Sequence, residues 1–155
     1  MEDRFKFRVV IFERKEKGGE FVFLKYEYEP ATYCINTEGK LWSFPFLTEL
    51  SDRKNAKITQ WLAYEAEFCT GLKDKNGKLI YEGDICKNTD NDCILTYGKI
   101  GQIKFIQNQN QSCYDWQQSG NRHGIVLGME LAENLEIIGN IYETPELLEA
   151  NNVNL

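Results

Sequence analysis

Cys113, Asp115 and His123 come nearest, by type and spacing, to a nucleophile, an orienting acid and a base. Cysteine catalysis needs a thiolate beside a base, with a third group holding the base in place. His123 is the one histidine of the chain and follows Cys113 by ten residues. A dyad demands assembled geometry that spacing does not supply. The reading taken is therefore a surface histidine and a packing thiol. No catalytic residue is assigned, and the chain is expected not to be an enzyme.

Carboxylates are the next candidates. Glu82 and Asp84 share a face if their segment is extended. Such a pair could hold a divalent cation or share a proton. A capped turn, with Asp84 accepting backbone N–H groups, is the expected role. Asp74-Lys75-Asn76-Gly77 resembles a calcium loop only superficially. Its glycine falls at the fourth position rather than the sixth, and the ligand at position five is missing. Asp90-Asn91-Asp92 lacks a distal glutamate at the required spacing. The five cysteines, Cys34, Cys69, Cys86, Cys93 and Cys113, form no Cys-x-x-Cys pair. With one histidine beside them, a zinc site is not expected. Gly98-Lys99-Ile100-Gly101 lacks the phosphate-cradling pattern Gly-x-x-x-x-Gly-Lys-Ser/Thr. Neither a metal nor a cofactor is expected.

Composition narrows the class further. The chain has 155 residues, 18 basic and 24 acidic, with a net charge of −6. That length suits one domain or two very small ones. A hydrophobic share of 42% with 13% aromatics supplies a core, so global disorder is not expected. The acidic balance opposes electrostatic capture of nucleic acid or of an anionic membrane. Residues 1–70 are nearly neutral at −1, whereas residues 71–155 carry −5. The ordinary reading is a solvated acidic face. The sharper one is a surface that meets a basic partner or imitates nucleic-acid phosphate. Tyr26, Tyr28, Trp42, Trp61 and Trp116 could stack single-stranded bases on a small barrel. Basic residues cluster in Arg4-Lys6-Arg8 and Arg53-Lys54-Lys57, both in the first half, and no basic groove is evident, so core packing and protein contact are the expected fates of these rings. The charged N-terminus is unlike a signal peptide, and no apolar run of about 18 residues occurs. A cytoplasmic location with reduced thiols is expected.

The elements that would position these residues are short. Phe5, Phe7, Val9 and Ile11 alternate with Lys6 and Arg8, which predicts a strand with one apolar and one polar face. Gly18-Gly19 predicts a turn through positive φ, and Phe21–Tyr28 a returning strand. A second hairpin is expected around Asn36-Thr37-Glu38-Gly39. Ser51-Asp52 could cap a helix running through Ile58, Trp61 and Leu62, but a short helix or loop near 49–55 followed by a strand over about 58–68 is the expectation. Asn76-Gly77 predicts a two-residue hairpin turn. Ile100–Ile106 reads as a strand, the Gln/Asn-rich stretch 107–124 as a long loop, and 125–131 and 135–138 as closing strands. Thr144-Pro145-Glu146 starts a short helix whose Leu147 and Leu148 must dock on a sheet. Many short strands with little helix indicate a mainly β barrel or sandwich.

Two segments resemble a known family. One is Thr70-Gly71-Leu72-Lys73-Asp74-Lys75-Asn76-Gly77-Lys78-Leu79-Ile80-Tyr81-Glu82-Gly83-Asp84-Ile85. The other is Ile137-Ile138-Gly139-Asn140-Ile141-Tyr142-Glu143-Thr144-Pro145-Glu146-Leu147-Leu148. In this order they are similar to the YopX family of phage and prophage proteins, with Lys6-Phe7-Arg8 as a weaker third element. The stretches 17–67 and 86–136 match nothing recognisable. The resemblance implies a phage or prophage origin and an SH3-like barrel in the second half; it implies no activity. The expected organisation is an N-terminal β-rich hairpin region at 1–67, a mainly β barrel with minor helices at 68–150, and a tail at 151–155. Tyr81, Glu82, Asp84, Asn140 and Tyr142, all within the two segments, are the candidate binding residues. The expected function is a non-enzymatic interaction protein of a bacterial host cell's cytoplasm. Its expected partner is a protein, a second copy included, rather than nucleic acid or membrane. A host-directed inhibitor using an acidic surface and a single-stranded nucleic-acid barrel are the alternatives.

Overall fold

In the computed structural model of the chain, the alternating run near its start forms β1, Phe7–Glu13. Residues 6–16, 19–28, 33–35, 41–43, 48–51, 57–58, 62–107, 112–121 and 123–149 are described. The architecture is mainly β, built on antiparallel sheets, one of them a curled half-barrel. Lys6–Phe68 pack as one compact unit and Cys69–Leu155 belong to another. Among the described residues no helix is long and apolar enough to cross a membrane.

In the first unit, β1 pairs with β2, Val22–Tyr28, from Arg8↔Tyr28 to Glu13↔Val22. A three-stranded sheet of β3 (Tyr33–Ile35), β4 (Leu41–Ser43) and β5 (Thr48–Ser51) follows. The expected second hairpin is thus the β3–β4 pair. Next come β6, Lys57–Ile58, and the long β7, Leu62–Lys73. β1 lies between β2 and β7, which places β-branched Val9 and Ile11 in a small core with Phe7, Leu62, Tyr64 and Ala66.

Three expectations change here. Residues 48–51 form a strand, not the start of a helix. The second face of β1 is also covered: Arg8 and Val10 are buried. Its neighbours across the sheet explain this, since the Arg8 guanidinium lies 4.2 Å from the Tyr26 ring centroid and 2.6 Å from a Glu67 carboxylate oxygen. The turn after β1 closes by the Gly19 N–H donating to the Glu16 carbonyl at 3.0 Å, and Gly19 does not take positive φ. Gly18, the Asn36–Gly39 turn, the Ser51-Asp52 cap at Asp52, the Arg53-Lys54 cluster, Trp61 and the 151–155 tail lie outside the described residues.

The second unit begins with the end of β7, which pairs with β8, Leu79–Tyr81. After it come β9 (Asp84–Asn88), β10 (Ile100–Gln107), β11 (Ser112–Gln118), β12 (Ile125–Val126), α1 (Met129–Ala132), β13 (Leu135–Asn140) and α2 (Glu146–Glu149). They build an antiparallel sheet in the order β12-β11-β10-β9-β13. Its core is Ile80, Cys86, Ile103, Trp116, Leu127, Ala132 and Leu135. The Trp116 indole N–H donates to the Cys86 carbonyl at 3.1 Å, so its polar edge is satisfied inside the core.

The polar stretch expected to be a loop contains β11, in register with β10 from Gly101↔Gln118 to Gln107↔Ser112. Tyr114, Trp116 and Gln118 alternate on its inner face, a period that the surrounding glutamines disguise. Of the segment 125–131 only Ile125–Val126 is strand; the chain then turns into α1. The turn at Asn76-Gly77 is one residue longer than the two-residue form. The Gly77 N–H donates to the Asp74 carbonyl at 2.9 Å and the Asp74 N–H to the Lys78 carbonyl at 2.8 Å. Gly77, at φ 78°, follows the turn as a bulge that other residues take only with strain. α2 packs on β10, with Leu147 and Leu148 half-buried.

Candidate functional site

The two segments that resemble the YopX family meet through backbone pairing in the second unit, Ile85 opposite Gly139 and the Ile141 N–H donating to the Gly83 carbonyl at 3.0 Å. Asp74 is buried. Its Oδ1 accepts from the Asn76 and Lys78 N–H groups at 2.9 Å each, and its Oδ2 accepts from the Ile137 N–H at 3.1 Å. Asp84 lies opposite Asn140 in the β9–β13 ladder, and both are buried. The Asp84 carboxylate accepts from the Tyr81 N–H at 2.8 Å. Asn140 Oδ1 accepts from the Tyr142 and Glu143 N–H groups at 3.0 and 2.8 Å, and its Nδ2 donates to Glu143 Oε2 at 2.6 Å. Tyr81 is buried; Glu82 and Tyr142 are half-buried. Asp84 and Asn140 thus serve the turns beside them through local side-chain bonds. Among the described residues no three His, Cys, Asp or Glu side chains converge where they could hold a metal ion.

The cysteine cluster is brought partly together. The Cys113 thiol donates to Asp115 Oδ1 at 3.4 Å, the two residues sharing a face of β11. Asp115 and His123 line a cavity of about 240 Å³ with Ile106, Gln117 and Gly124. The sulfur's partner here is the acid that a triad would set behind the base.

A second cavity, of about 320 Å³, lies between the β9–β10 loop and the stretch from β12 to α1. Its first wall is stapled by Asn88, which is buried. Asn88 Nδ2 donates to Thr96 Oγ1 at 2.8 Å, its Oδ1 accepts from the Asp90 N–H at 2.8 Å, and its carbonyl accepts from the Gly98 N–H at 2.8 Å. The Cys93 carbonyl accepts from the Thr96 and Tyr97 N–H groups at 3.1 and 2.8 Å. With its polar groups consumed inward, the loop turns its apolar side chains outward: Ile94 is 89% and Leu95 85% exposed. Tyr97 is exposed as well. On the opposite wall Ile125 and Val126 are also exposed, and so is Met129 next to the lining residues Gly128 and Glu130. Asp90, Cys93, Glu130 and Leu131 are among the lining residues.

A family model, that of the YopX protein, matches residues 32–149. The chain belongs to the YopX family. The match takes in both segments that suggested it and also the stretch 86–136, which by itself resembled nothing. It does not reach Lys6-Phe7-Arg8. The chain is also similar to the crystal structure of protein EF1440 from Enterococcus faecalis. Identity is 20%, with 92% of this chain and 96% of that one covered, at a TM-score of 0.46. No curated protein matches the chain.

The apolar groove of this YopX-family chain was not read from the sequence. One signal for it exists. Cys93-Ile94-Leu95 is an apolar triplet inside an otherwise polar connection, where solvated side chains are the norm.

Proposed function

We propose that this YopX-family protein acts by binding a protein partner and catalyses no reaction. We place it in the cytoplasm of a bacterial host, encoded by a phage or prophage, with the SH3-type barrel of its family in the second half. The observation that carries the reading is the apolar surface of Ile94, Leu95, Tyr97, Ile125, Val126 and Met129, held out from the second unit. Exposed apolar side chains on both of the segments that flank one cavity mark a contact surface. Single-stranded nucleic acid is disfavoured as the partner: Trp116 is fully buried, and the Tyr26 ring already carries the Arg8 guanidinium. Catalysis by Cys113 is left out because its thiol meets Asp115.

A host-directed inhibitor is the second reading, favoured by Asp90 and Glu130 on the walls of the groove. Pull-down from a bacterial lysate at low and high salt separates the two. A partner held by apolar contact stays as salt rises, and one held by the acidic surface is lost. Cys113→Ala and His123→Ala should leave the biological effect intact. If either abolishes it while the fold survives, the binding reading is wrong.

A further inference from the structure

β12 is the end strand of its sheet, with β11 as its one neighbour among the described residues. In an antiparallel pair, residues alternate between facing the partner strand and facing away from it. The Leu127 N–H donates to the Tyr114 carbonyl at 2.8 Å, and Val126 stands opposite Asp115. The N–H and carbonyl of Val126 therefore point off the sheet. Gly128, the next residue of the same parity, is extended (φ −105°, ψ 174°) and exposed. The Gly128 carbonyl accepts from the Ala132 N–H at 2.9 Å, so Val126 is the position that presents an open edge, directly beside the groove whose lining includes both Ile125 and Val126.

The charged side chains that line the groove, Asp90 and Glu130, have one sign. Segment 88–98 holds Asp90 and Asp92 and no Lys or Arg; segment 123–134 holds Glu130 and Glu133 and no Lys or Arg. Asp92, Glu130 and Glu133 are exposed, and Asp90 and Glu130 line the groove itself. A second copy of this chain would bring two such rims together, like against like. A basic partner would not.

Resting on the protein-binding reading above, we propose that an extended segment of a partner protein, alternating basic and apolar side chains, docks as an added strand on the outer edge of β12. Its backbone pairs with Val126. Its apolar side chains enter the groove beside Cys93 and Leu131, and its Lys or Arg side chains meet Asp90 and Glu130. Backbone bonds to the edge give affinity, and the groove with its rim gives specificity. A volume of about 320 Å³ suits a few side chains of such a segment.

The test uses the full chain and a fluorescein-labelled peptide of alternating lysine and valine, about ten residues long, read by fluorescence anisotropy. A peptide alternating glutamate and valine is the charge control. A peptide of the same lysine and valine content in two blocks is the pattern control. The alternating basic peptide should bind at least about ten-fold more tightly than either control. Val126→Pro removes only an N–H that faces away from β11, a place where sheet edges tolerate proline. It should weaken binding about ten-fold while the circular dichroism spectrum and melting temperature stay as in the parent. Leu95→Ser, at an exposed position between the groove-lining Cys93 and Thr96 in the chain, should act in the same direction. Asp90→Asn with Glu130→Gln should flatten the salt dependence of binding. Equal binding of the three peptides overturns the proposal, and so does indifference to both Val126→Pro and Leu95→Ser. Concentration-dependent self-association abolished by Val126→Pro, with no peptide bound, also overturns it and names the second copy as occupant. A partner captured in pull-down that ignores these substitutions would sink the edge-strand proposal and leave the protein-binding reading standing.

Discussion

Arg8 and Glu67 face each other across β1 and β7, and one carboxylate oxygen, Oε2, takes both Nε at 2.7 Å and Nη2 at 2.6 Å from the guanidinium. Both side chains are buried, at 2% and 5% exposure. Nη1 donates to the Tyr28 hydroxyl at 3.3 Å. Breaking one side of such a pair leaves a buried charge without its counter-ion. Glu67→Ala should therefore destabilise the first unit by about 3–5 kcal/mol, whereas replacing both residues by apolar ones of similar volume should cost far less. Urea denaturation of the two variants checks this, and equal losses would refute it.

Asp74 ties a hairpin to a strand 63 residues further along the chain. Asp74→Ala strips three backbone N–H groups of their acceptor and should cost about 3 kcal/mol. Asp74→Asn keeps the Oδ1 acceptor for Asn76 and Lys78 but sets an amide against the Ile137 N–H. It should lose less stability, with faster hydrogen exchange centred on Ile137. Uniform exchange across the sheet would contradict that picture.

Gly139 is required for space. A Cβ there would run into Thr144 Oγ1 and stand 3.0 Å from Leu147 Cδ1. Gly139→Ala should destabilise by about 1–3 kcal/mol through overpacking. Thr144→Ala loses the hydroxyl that accepts from the Asn140 N–H at 3.2 Å, yet opens room for the new methyl. A double-mutant cycle should therefore come out non-additive, the pair costing less than the sum.

Burial, and then the Glu27 carboxylate, hold the Tyr64 phenol above its usual pKa of 10.0, with Lys25 opposing. The folded state thus keeps this proton when the unfolded chain has lost it. The stabilisation is complete below about pH 10 and falls away as pH rises through the folded value. Ultraviolet difference titration of the parent and of Tyr64→Phe should differ by one phenol, and that phenol should ionise above the ordinary tyrosine value. A titration unchanged by the substitution would be the contrary result.

The local devices are legible in the sequence. The Asp74–Gly77 turn, the Asp84 cap on its own turn and the Thr144-Pro145 helix start each close within a few residues, so residue types and spacing carry them. The mainly β class was legible for the same reason, since alternation and turn residues recur along the chain. The groove was not legible. Ile94 and Leu95 look like core residues in the sequence, and only the Asn88 staple, which uses the loop's polar groups on the inside, turns them outward.

By itself, then, the amino-acid order determined the plainly alternating strands such as β1 and the turns that close within a few residues, because those are settled by hydrogen bonds and steric limits among near neighbours. The tertiary structure alone decided that a glutamine-rich stretch becomes β11, that Arg8 is buried, and that the second hydrogen-bonding oxygen of Asp74 belongs to β13. Each of these depends on a partner brought from far along the chain, and pairing across such distances is fixed by which surfaces fit together when the sheet closes.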